Sequence, residues 1–185
     1  MVKYEIKNGI ILLAEPFMLD PNFRRAAVLL CEHSPEGSIG FVINRPTEYR
    51  IDELLEDFPE FDSIVYQGGP VETNTIHYLH NVGDLLEDCA TVSDGVYWGG
   101  DFDKLKFLIS SGLITPDNIR FYVGYSGWDE GQLSEEMATG SWVPADMHPN
   151  YVFKTNPDSL WQQVMHNKGD VYSVIATMPD TANWN

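Results

Sequence analysis

Cysteine is scarce in this chain: Cys31 and Cys89 are the only two in 185 residues, and neither sits in a pairing motif. That excludes a disulfide scaffold and fits a reducing compartment. Long apolar runs are also missing. None approaches the roughly 18 residues a membrane span needs. The run from Ile10 to Ala14, preceded by Lys3, Glu5 and Lys7, is too short for the core of a secretory leader. A cytoplasmic protein without membrane contact is the expectation. Positive charge is short as well, with 11 Lys and Arg against 28 Asp and Glu and a formal charge of −17. Displacing counterions from a phosphate backbone takes Lys and Arg, so unaided binding to nucleic acid or an anionic membrane is disfavoured.

The deficit is local. Residues 51–103 hold thirteen acids and no Lys or Arg, whereas residues 1–50 balance six acids against six bases. The middle block reads first as a solvated face that keeps the protein soluble, and second as an acidic docking surface. In the neutral first third, Arg24, Arg25 and Arg45 flank apolar runs. They can form a local anion-attracting spot or pair structurally with Asp20 or Glu32.

What is present has the make-up of a folded domain, with 43% hydrophobic and 12% aromatic residues. At this length about 70% of the unfolded surface can be buried. Strand-length apolar runs recur at 9–14, 26–33, 39–44, 63–67, 76–80, 95–98, 118–125, 141–143 and 171–177. Ala26 to Cys31 and Phe41 to Ile43 are apolar on both faces, which places them in mid-sheet under cover on both sides. The turn residues from His33 to Gly37 predict a hairpin between them. Helical spacing marks Ile51, Leu54, Leu55 and Phe58, stopped by Pro59, and Phe102, Leu105, Leu108 and Ile109, closed by Gly112. Asn156-Pro157-Asp158 opens a third helix with Leu160, Trp161, Val164 and Met165 inward, and a short fourth runs from Gln132 to Met137. The expectation is one α+β domain over residues 1–185, a compact unit with a mixed, coiled β-sheet and about four outer helices.

Most chemical motifs fail. Gly124-Tyr-Ser-Gly-Trp128 lacks the second glycine of a nucleophile elbow, and there is neither a dinucleotide fingerprint nor a Walker A loop. Gly68-Gly69-Pro70 reads as a tight turn. Cys31 with His33, and His77 with His80, raise the question of metal or redox chemistry. Residues three apart on a strand face opposite ways, and Cys31 reads as a buried small hydrophobe. No metal and no cofactor is implied. What remains is a set of polar residues at strand ends, where loops carry sites.

At these residues the sequence resembles a known family. Asp20-Pro21-x-Phe23-x-Arg25, Cys31-Glu32-His33, Gly37-x-x-Gly40-x-Val42-Ile43-Asn44-Arg45-Pro46, Tyr66-x-Gly68-Gly69-Pro70-Val71, Leu79-His80, Gly124-Tyr125-x-Gly127-Trp128-x-x-Gly131-Gln132-Leu133-x-x-Glu136 and Trp142 follow in order as in the bacterial YqgE/AlgH family. The likeness spans Gly9 to about Trp161. It implies a small α+β protein of a largely uncharacterised family, one branch of which is described as a regulator of alginate synthesis, whence the label transcriptional regulator. The motif positions that can form a ligand or partner surface are Asp20, Arg25, Glu32, His33, Asn44, Arg45, Gly69, Pro70, His80, Tyr125, Trp128, Gln132 and Glu136. Two places depart from the family pattern: Thr73-Asn74 after Val71, and the C-terminal close from Met178 to Asn185.

Two readings of function follow. The first is a regulatory protein acting indirectly through a protein partner or a small anionic ligand, since no basic helix-turn-helix is present. The alternative is an enzyme in which Glu32 or His33 is the general base, Arg25 or Arg45 fixes an anionic substrate and Tyr125 or Asn44 stabilises developing charge. That alternative requires these side chains to share one cleft.

Overall fold

The structure, a computed structural model, describes residues 4–180. Its strands are β1 (Ile11–Ala14), β2 (Ala27–Ser34), β3 (Gly37–Val42), β4 (Pro46–Arg50), β5 (Ile64–Gln67), β6 (Val71–His80), β7 (Ala90–Ser93), β8 (Val96–Trp98), β9 (Ile119–Asp129) and β10 (Trp142–Ala145). They form one sheet ordered β10-β1-β2-β3-β9-β6-β8-β7, with β5 between β4 and β9. All pairings are antiparallel except β5 with β9, so the sheet is mixed, as expected. The helices are α1 (Ile51–Leu54), α2 (Phe102–Ser110), α3 (Gln132–Ala138), α4 (Asn150–Phe153), α5 (Leu160–Asn167) and α6 (Asp170–Ile175), with a 3-10 turn at Pro157–Ser159. None of them is long and apolar enough to cross a membrane.

Strand β2 explains the layering. Ala27, Leu29 and Cys31 join one apolar cluster with Leu160, Trp161, Val164 and Met165 of α5, while Val28 and Leu30 join another with Leu133 of α3. Successive strand residues point to opposite faces, so a strand apolar at every position is stable only between two covering layers. β2 and β3 form the expected hairpin, with Ser34 paired to Gly37. A third cluster, built from Ile51, Val65, Tyr78, Leu105, Leu108 and Phe121, fills the other half of the sheet beneath α2.

Local chemistry sets the helix ends. The Asp101 carboxylate accepts the Lys104 N–H at the start of α2. The Asn156 side chain accepts the Asp158 N–H at 2.9 Å, with Pro157 at the first position of the turn that leads into α5.

Several expectations are corrected. Residues 171–177 do not form a strand. They lie mostly in α6, with Tyr172, Ile175 and Ala176 on the core at helical spacing and Val171 and Val174 left exposed. Their β-branched content is outweighed by packing against α5. The helix expected over 51–58 stops after one turn at Leu54, and Leu55 is already extended. Strand β9 runs on to Asp129, through residues expected to follow a strand. β4, β7 and α4 carried no clear sequence signal; β4 is mostly polar because it packs only along its edge with β5.

Candidate functional site

The motif residues divide between separate places. Asp20 is structural: its carboxylate accepts the Asn22 N–H at 2.9 Å and its carbonyl accepts the N–H groups of Phe23 and Arg24. This turn delivers Arg24 and Arg25 to the start of β2. Arg25 adopts a left-handed backbone, with φ 55°, unusual for a residue with a side chain. Asn44, just after β3, holds it there. Its Nδ2 donates to the Arg25 carbonyl at 2.9 Å and its Oδ1 accepts the Ala27 N–H at 3.0 Å. One amide thus bridges two points of the neighbouring chain, a role in which the amide's donor and acceptor are both used.

Beyond Asn44, Arg45 donates from Nη2 to the Arg24 carbonyl. Arg25 donates from Nη2 to the carbonyls of Met178 and Pro179 at 3.1 and 3.0 Å, and its guanidinium lies 4.2 Å over the Trp161 ring. Arg24 pairs with Asp180 at 2.7 Å. Neither Asp20 nor Glu32 serves as the arginines' partner. Arg25, Asn44 and Arg45 line one pocket of about 250 Å³ with Pro157, Asp158, Trp161, Gln162 and Asp180. Among the described residues, the Nε atoms of both Arg25 and Arg45 are buried without a hydrogen-bond partner. Burial lowers the pKa of each; the charge of Arg24 lowers both further, while Asp180 opposes the fall at Arg25. Buried cationic donors without acceptors favour an incoming anion.

Glu32 lies elsewhere. It lines a broader, more open concavity of about 490 Å³ with Ser34, Glu36, Tyr125, Asp129 and Gln132. Glu32, Glu36 and Asp129 are exposed carboxylates, and among the described residues no Lys or Arg lines this groove. The single cleft that the enzyme reading requires is therefore not formed, because Glu32 and Tyr125 are separated from the pocket of Arg25, Asn44 and Arg45. His33 turns to Ser38, its Nδ1 2.7 Å from the hydroxyl, and its backbone N–H is taken by Asn8.

The remaining motif residues hold the fold. Glu136 accepts the indole N–H of Trp128 at 2.9 Å and of Trp142 at 2.7 Å on one oxygen, and the Gln132 amide at 2.9 Å on the other. That joins α3 to β9 and β10. His80 is fully buried; its Nε2 lies 2.8 Å from the Gly99 carbonyl, its Nδ1 faces the Val82 N–H at 3.3 Å, and its ring stacks on Tyr97. Gly69 is needed for close approach, since a Cβ there would fall 2.2 Å from the Tyr125 backbone. Exposed Pro70 follows it.

Other chemistry finds no footing. Cys31 is buried, and burial pushes its thiol pKa far up, which suppresses the reactive thiolate. Among the described residues no cluster of three or more His, Cys, Asp or Glu side chains is arranged to hold a metal. Ser126 is an interior strand residue whose hydroxyl donates to the Gly68 carbonyl. Of the C-terminal departure from the family pattern, residues 181–185 lie outside the described residues.

Sequence reasoning missed Asp158, Trp161, Gln162 and Asp180 as pocket residues. Trp161 was legible only as an inward helix residue, and no local signal places residues 161 and 180 beside residue 25.

Comparison with known proteins gives a consistent picture. The family model described as DUF179, AlgH-like, matches residues 11–173. A UPF0301 protein of Chlorobium chlorochromatii is 41% identical over 181 residues, covering 98% of this chain and 96% of its own. One from Cytophaga hutchinsonii is 40% identical over 175 residues, covering 94% of this chain and 96% of its own. Among solved structures, the AlgH protein of Pseudomonas aeruginosa superposes with TM-score 0.74 at 27% identity, covering 97% of this chain and 98% of its own. A protein from Corynebacterium diphtheriae shares the fold, with TM-score 0.79 at 20% identity over 96% of this chain and 95% of its own.

Proposed function

The chain belongs to the AlgH-like family, and from that premise we propose that it is a regulatory protein that binds a small anion between Arg25 and Arg45 and influences transcription indirectly, without contacting DNA. The observation that carries the reading is the convergence of these two arginines, each with a buried Nε lacking an acceptor, on one pocket. At about 250 Å³ the pocket suits a ligand of few heavy atoms, such as inorganic phosphate or a small carboxylate, rather than a protein segment. The larger groove supports this reading less, because its exposed carboxylates repel anions.

The left-handed backbone at Arg25 adds to the argument. A non-glycine residue held at positive φ costs on the order of 1 kcal/mol and persists where its surroundings over-determine it. Here Asn44 supplies that constraint at the backbone, while the Met178 and Pro179 carbonyls and the Trp161 ring hold the guanidinium.

The test is a calorimetric titration of the full chain with inorganic phosphate and with citrate, beside Arg45→Gln. Arg45 lines the pocket and donates to the Arg24 carbonyl, and its replacement is expected to weaken anion binding about tenfold. Equal affinity in the two proteins, or no binding of either anion to the unaltered chain, would sink the reading.

A further inference from the structure

The anion pocket already has an occupant of sorts. After α6, Ala176 is packed in the core, and the next residues run across the arginines. Arg25 donates to two successive carbonyls of this segment, those of Met178 and Pro179, and the Asp180 carboxylate lies 2.7 Å from Arg24 and lines the pocket itself. Thus, among the described residues, Met178, Pro179 and Asp180 supply two neutral carbonyls and one carboxylate to the arginine cluster.

We propose that Met178–Asp180 is a strap that holds the anion pocket partly neutralised with its own carboxylate and gives way when a more highly charged anion, with inorganic phosphate as the simplest case, enters between Arg25 and Arg45. The proposal rests on the anion-binding reading above and assigns its regulation. Three features favour a displaceable contact over a permanent one. The Arg24–Asp180 pair is about one-third exposed on both sides, where ion pairs contribute little to stability and exchange readily. Among the described residues, the hydrogen bonds from Arg25 to the strap go to carbonyl oxygens, and its Nε finds no acceptor. A phosphate with several anionic oxygens can satisfy donors that one aspartate does not. Entry of the ligand therefore alters the end of the chain directly after α6, so occupancy becomes readable at a surface segment.

The test compares phosphate binding by the unaltered chain, Asp180→Asn and Asp158→Asn, followed by NMR through the amides of Arg25 and Met178 and the Trp161 indole N–H. Both substitutions remove one negative charge from the pocket rim, but only the first touches the strap. Asp180→Asn is expected to bind phosphate about fivefold more tightly, Asp158→Asn to change affinity by less than about twofold, and the Met178 amide to shift on phosphate addition to the unaltered chain. Equal affinity in Asp180→Asn and the unaltered chain overturns the strap while leaving the pocket standing. So does equal tightening in both variants, which would reflect net charge alone. Absence of phosphate binding in all three removes the pocket and the strap together.

Discussion

At the scale of single residues, Glu136 has the most consequential environment. One carboxylate accepts two indole N–H groups and one amide, and those donors come from β9, β10 and α3. Hydrogen bonds to a charged acceptor contribute about 1.5–3 kcal/mol each and are not additive, so Glu136→Ala is expected to cost about 3 kcal/mol in a urea titration. It also strands two indole donors, whereas Glu136→Gln retains one acceptor oxygen and should lose roughly half as much. His80 gives a residue-scale prediction about pH. Its neutral ring is buried and its pKa is lowered by burial, with the contact to the Gly99 carbonyl opposing; His77 is lowered by burial as well, with Glu72 opposing. The unfolded chain, with an ordinary histidine pKa near 6.5, therefore takes up protons before the folded one does. Stability is full above that value and falls as the pH drops below it towards the lowered values of the folded state. Thermal unfolding should show this fall, and His80→Gln should flatten it.

Among the elements, the turn between β5 and β6 shows why glycine stands where it does. A Cβ on Gly69 would lie 2.2 Å from the Tyr125 carbonyl carbon and 2.4 Å from the Ser126 nitrogen, both backbone atoms of β9. Neither can move without breaking the central strand. Gly69→Ala is expected to cost more than about 3 kcal/mol. By contrast, Gly112 after α2 has φ 77° but nothing within 4 Å, so Gly112→Ala should cost only about 1 kcal/mol. Measured by urea unfolding, similar losses at the two sites would contradict the close-approach argument. The same scale shows what local sequence can convey. The α2 and α5 signals were readable because Gly112 after α2, the Asn156 cap of the turn leading into α5 and the two apolar stripes are all local in sequence. Residues 171–177 misled because Val171, Val174 and Ile175 suit a strand by propensity, while the core cluster that Tyr172, Ile175 and Ala176 share with α5 is set by tertiary packing.

Across the whole molecule, charge is distributed unevenly in space as well as in sequence. Of the thirteen acids in residues 51–103 all but Asp52 are exposed, and Arg50 engages Asp52 at 2.6 Å and Asp62 at 4.0 Å. The block is mainly solvent-exposed and holds no Lys or Arg of its own. With a formal charge of −17, self-repulsion destabilises the compact state and is relieved by screening. Raising sodium chloride from about 0.01 to 0.2 M, which shortens the Debye length from about 30 Å to under 10 Å, should raise Tm by several degrees. A Tm that is flat or falls with salt would contradict this account.

Sequence by itself determined the two-sided burial of β2 and β3, their hairpin, the capped helices and the family, because each is written in residue spacing or in ordered motifs along the chain. It also marked Arg25, Asn44 and Arg45 as candidates. Only the tertiary structure separated them from Glu32 and Tyr125 and set them beside Trp161 and Asp180. The physical reason is distance along the chain: the pocket joins residues more than a hundred positions apart, and the helix that carries the C-terminal segment to it forms only where α5 offers an apolar face.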